Sequence, residues 1–146
     1  MTSDPFNLNR FEDAQTGVWD SAFEELRAGR KQTHWMWFVF PQLAELGRSA
    51  TARHFGISGI AEARAYLAHL VLGERLDACC NMLLEHAGTS AVAIFGEVDA
   101  MKLRSCLTLF RAAAGPERQI FDQCLARYFG GQPDPLTIAA LAAQQG

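Results

Sequence analysis

What this chain lacks sets its bounds. No apolar run is long: residues 35–40 and 138–143 each hold six apolar residues, whereas a membrane-spanning helix needs about 20. There is no basic excess either. Thirteen Lys and Arg against 16 Asp and Glu leave a net charge of −3. Nothing therefore draws the chain in bulk to nucleic acid or to an anionic membrane, and neither is expected as a partner. The opening residues Met1-Thr2-Ser3-Asp4-Pro5 pair no basic cluster with an apolar core and read as no secretory leader. Cysteine is sparse and poorly spaced for staples or metals. The four, at positions 79, 80, 106 and 124, form no C-x-x-C pair and no Cys/His cluster at zinc-ligand spacing. They lie among Leu76, Leu83, Phe110 and Phe121, so the expectation is four reduced core thiols in a reducing cytoplasm, with no metal.

What is present is ordinary in bulk and distinctive in detail. The 146 residues are 49% hydrophobic and 20% charged, the balance of one soluble domain spanning 1–146. No repeat or low-complexity linker divides them. Apolar residues recur at spacings of three and four, which is helical. Phe11, Ala14, Val18, Trp19, Ala22, Phe23 and Leu26 form one such face, interrupted near Gly17 and stopped at Gly29. Thr33 is a fair N-cap for a helix over 34–40 that ends at Pro41; periodicity alone leaves a buried strand open there. Ser49 opens a short segment to Phe55, a short helix follows over 60–68, and a longer one over 72–86. Thr89 is the expected cap for 90–95, Asp99 for a helix to 113, and Pro116 the first residue of a helix to Phe129. Asp134-Pro135 caps the last helix, 136–144. The reading is an all-α, compact single-domain bundle of seven to nine helices with short connections.

Residues 29–43 read GRKQTHWMWFVFPQL, residues 99–110 DAMKLRSCLTLF, and residues 128–137 YFGGQPDPLT. With FNLNRFEDAQ at 6–15 and EARAYLAH at 62–69, the chain resembles the domain of unknown function 1810 family. Its members are small, mostly bacterial proteins. The likeness runs over about 6–137 and implies an all-helical fold, but it brings no activity, substrate or cofactor. Some members are labelled calpastatin, yet these residues hold nothing like a disordered acidic inhibitory segment. Departures are few: Cys106 stands where the family pattern usually has a second serine, Leu107 where it has methionine, and Leu70 where a proline often follows the histidine. The first removes a hydroxyl at 106, and the third implies a looser turn before Leu72.

Two constellations carry candidate chemistry. In the first, Arg30, Lys31 and His34 precede Trp35, Trp37, Phe38 and Phe40, with Gln42 closing the block. On a helix, Trp35 and Phe38 share one stripe, and His34 and Trp37 lie along another. The functional reading has an indole stacking on a planar ring while Arg30 or Lys31 neutralises a phosphate or carboxylate. The plainer reading makes the aromatics core and leaves the basic residues solvated past a helix end. In the second, Lys102 and Ser105 share a helix face and could hold an anion, beside Asp99 and Arg104. Asp99 as a helix cap is the plainer reading. Ser105 as a nucleophile needs a base such as His34 within reach. His54, His69 and His86 read as local, Glu24, Glu25, Glu12 and Asp13 as a solvated acidic face, and Gly130-Gly131 as a helix stop rather than a phosphate loop.

The sharpest expectation is that His34, Trp37, Arg30 and Lys102 converge on one solvent-reachable site, because basic side chains rarely bury without a partner. A cationic, aromatic-walled cavity would take an anionic, ring-containing small molecule of nucleotide or ribose-phosphate type. The alternative is an interaction module using the Trp-rich patch, homo-oligomerisation included.

Overall fold

A computed structural model describes residues 4–86 and 88–145 of the chain; the leader reading over 1–5 therefore lies partly outside the described residues. Helices supply the architecture. In chain order they are α1 Asn9–Gln15, α2 Trp19–Ala28, α3 Met36–Val39, α4 Ala50–His54, α5 Ile60–Ala68, α6 Leu70–Glu85, α7 Ala91–Phe95, α8 Glu97–Ala114, α9 Ile120–Phe129 and α10 Pro135–Gln145, with a 3₁₀ turn at Ala44–Leu46. Among the described residues there is no strand, only an isolated parallel bridge between Leu43 and Ile57. The all-α class holds. The ten helices among the described residues exceed the expected seven to nine because the 11–26 face divides in two around Gly17 and the 49–55 segment forms a helix of its own.

α8 is the axis. It packs on α5, α7, α9 and α10, while α6 bridges α5, α9 and α2. Leu103, Cys106, Leu107 and Phe110 of α8 are fully buried. The Phe110 ring lies 5.2 Å from Tyr66 of α5 and 5.9 Å from Phe121 of α9. Phe11 meets Tyr66 edge-on at 5.2 Å, which ties α1 to the same core. All four cysteines are free and buried within it.

Local chemistry accounts for the ends. Gly29 closes α2 in the left-handed conformation at φ 77, where a Cβ is disfavoured. Asp134 accepts the Thr137 amide at 3.0 Å and caps α10. His69 caps α6, its Nδ1 accepting the Val71 and Leu72 amides at 3.2 Å each, while Nε2 faces Glu12 at 2.9 Å. α6 thus starts at Leu70, and the turn expected to loosen without a proline is a capped helix start.

Four expected ends are corrected. The helix over 34–40 is one turn, and its first residue is preceded by Trp35 without a side-chain cap; Thr33 gives its hydroxyl to Glu25 instead. Ser90, not Thr89, caps α7 by accepting the Ala93 amide. α8 begins at Glu97 after Gly96, so Asp99 sits inside its first turn. α9 begins at Ile120, leaving Pro116 in the turn between α8 and α9.

Candidate functional site

The strap between α2 and α3 is built from the end of α2. Glu25, in its last turn, accepts four hydrogen bonds: the Gln32 amide at 2.6 Å, the Thr33 amide at 2.9 Å, the Thr33 hydroxyl at 2.6 Å and the Trp35 indole N–H at 3.0 Å. Burial works against the Glu25 charge, but these bonds from Thr33, Gln32 and Trp35 outweigh it and hold its pKa at about 2. The Lys31 amide then donates to the Ile94 carbonyl at 2.7 Å and fastens the strap to α7.

Where this strap meets the start of α8, a cleft of about 380 Å³ opens to solvent. Lys31, His34, Trp37, Asp99 and Lys102 line it, together with Met36 and residues 95–98. Asp99 lies between two ammonium groups, with Lys31 Nζ 2.9 Å from Oδ2 and Lys102 Nζ 3.3 Å from Oδ1. The two lysines differ in kind. The Lys31 side chain is 8% exposed, donates to the Thr33 carbonyl at 2.6 Å and lies 5.0 Å from the Trp35 ring. It is consumed in holding strap to helix. Lys102 is 25% exposed, and its Nζ lies 4.6 Å from the Trp37 ring, with donor capacity left for a ligand. Gly96, at φ 83, brings no side chain to cap the first-turn amides of α8, and these add partial positive charge at the cleft. Glu97 and Asp99 in that turn offset part of it.

The structure thus brings His34, Trp37 and Lys102 to one cleft with Lys31 and Asp99, and leaves the other candidates elsewhere. Arg30 is exposed and outside the lining; its amide completes the α2 end by donating to the Glu25 carbonyl. Trp35 is fully buried. Gln42 borders a separate recess, and its carbonyl accepts the Ile57 amide at 2.7 Å. Arg104 donates to the Gln132 and Pro133 carbonyls at 2.9 Å each. Ser105 donates to the Met101 carbonyl and Asp134, at 3.2 Å each, and does not line the cleft that holds His34. These last two brace the turn before α10. Glu25, read as part of a solvated face, is the residue that sequence reasoning missed: two of its four donors are backbone amides, which carry no side-chain signature. Among the described residues no group of three or more His, Cys, Asp or Glu side chains converges as a metal site, and no helix is long and apolar enough to cross a membrane.

A family model described as "Protein of unknown function (DUF1810)" matches residues 5–141. No curated protein matches the chain. Among solved structures, the chain is similar to the crystal structure of the conserved hypothetical protein Rv1873 from Mycobacterium tuberculosis. The two are 52% identical, with a TM-score of 0.92 over 95% of this chain and 99% of that one.

Proposed function

The chain belongs to the DUF1810 family, whose description carries no activity, and from that premise we propose that it is a small-molecule-binding protein. Its ligand carries an anionic group and a planar ring, as a nucleotide does. The observation behind this reading is the placement of Lys102, Trp37 and His34 around one open cleft at the uncapped start of α8. Lys102 and the first-turn amides are donors for the anion, and the indole is the surface for the ring. A volume of about 380 Å³ lies within the ordinary range for small-ligand sites. An interaction surface made of the Trp-rich run has less behind it, because Trp35, Met36, Val39 and Phe40 are buried and unavailable to a partner.

The test is a thermal-shift screen of nucleoside monophosphates, sugar phosphates and aromatic carboxylates against the wild type and His34→Ala. A ligand-dependent rise in Tm that shrinks in the variant supports the reading. Binding that is indifferent to His34, or no shift with any compound, overturns it.

A further inference from the structure

Trp37 borders two spaces. One is the cleft; the other is a recess shared with Gln42, Gly47, Ala52 and Phe55 that holds about 20 Å³, room for roughly one water. A ring that stacks on Trp37 must therefore do so from the cleft. Lys102 lines the cleft and not the recess, and its ammonium group lies 4.6 Å from the centre of the indole ring. Asp99 tethers that group at 3.3 Å, and Asp99 is itself held at 2.9 Å by the buried Lys31. The stacking surface is already taken by a cation of the protein's own.

Resting on the reading of the cleft given above, we propose that Lys102 is a specificity-determining gate over Trp37. An arriving anion draws the ammonium off the indole face and so uncovers it for the ligand's ring. A neutral ring alone has to displace the cation–π contact and brings the ammonium no new partner in exchange. An anion alone attracts the ammonium but leaves the indole face uncovered. Only a ligand carrying both replaces each contact that it breaks, so the site favours a ring and an anion joined in one molecule over either part. The Lys102 stem has four rotatable carbon–carbon bonds, enough to move the ammonium while α8 stays fixed, and its exposure of 25% leaves space for the swing.

The gate makes a prediction of unusual sign. Titration calorimetry would compare adenosine, ribose 5-phosphate and adenosine 5′-monophosphate on the wild type, Lys102→Ala and Lys102→Arg, with unchanged circular dichroism as the check on folding. The wild type should prefer the monophosphate to either fragment by about tenfold or more. Lys102→Ala should weaken the monophosphate by about tenfold yet tighten adenosine by roughly two- to fivefold, the share of a partly exposed cation–π contact. Lys102→Arg, which keeps charge and stacking, should retain the wild-type order. Adenosine binding unchanged or weakened in Lys102→Ala, with the monophosphate still binding the wild type, overturns the gate and spares the cleft reading. Failure of the monophosphate to bind the wild type overturns both.

Discussion

Glu25 sits on the last turn of α2, and its carboxylate decides the course of the next ten residues. Four hydrogen bonds to 32–35 fix the strap that carries Lys31 and His34 to the cleft. Glu25→Ala should cost about 1–3 kcal/mol in urea unfolding at pH 7. The effect has a pH signature. With a folded pKa of about 2 against an ordinary 4.5, Glu25 contributes fully above pH 4.5, and the contribution is lost as pH falls from there through 2. The gap between wild type and variant should therefore narrow on acidification from pH 5 to 2.5. A gap that stays constant over that window would show that the charge does not hold the strap. The same residue marks a boundary of what sequence conveys. Lys31, His34, Trp37 and Lys102 were recognisable as candidates because their types are chemically loud, whereas the carboxylate that positions two of them looked like its solvated neighbours Glu24 and Asp13.

At the scale of elements, the ends set by local chemistry were the legible ones. The span of α5 is the one expected, and Gly29, Ser49 and the Asp134-Pro135 pair do at their helix ends what their conformational and hydrogen-bonding preferences dictate. Thr33 and Asp99 misled because each is a good cap that a tertiary partner claimed first, Glu25 in one case and Lys31 in the other. The α5–α6 corner shows the same override. Gly73 lies within α6, where alanine is intrinsically better by about 1 kcal/mol. Yet a Cβ at Gly73 would stand 2.2 Å from the Leu67 carbonyl oxygen, a backbone atom that cannot swing aside. Gly73→Ala should accordingly lower Tm by about 5 °C or more, read by circular dichroism at 222 nm. A rise in Tm would mean that propensity outweighs the close approach of α5 to α6.

Across the whole molecule, stretches far apart in the chain prove to be joined. The 29–43 block meets 99–102 through Lys31, Asp99 and Lys102, and the 99–110 block grips 128–137 through Arg104, Ser105 and Thr108. Sequence supplied these blocks separately; their pairing is a matter of packing around α8, which no local pattern encodes. The thiols report on that packing as a unit. Cys79 and Cys80 come from α6, Cys106 from α8 and Cys124 from α9, and all are buried. Burial pushes the Cys79 and Cys106 thiols well above their ordinary range, and contact with Cys124 together with burial does the same to Cys80. Reaction with a disulfide reagent needs both access and thiolate, and burial denies access to all four until α6, α8 and α9 separate. All four thiols should therefore be silent toward such a reagent in the native protein at pH 8 and all four should react in guanidinium chloride. At intermediate denaturant their labelling should follow the same transition as the far-ultraviolet circular dichroism, since one core opens at once. One thiol labelled well ahead of the others would show that a helix of this core opens by itself.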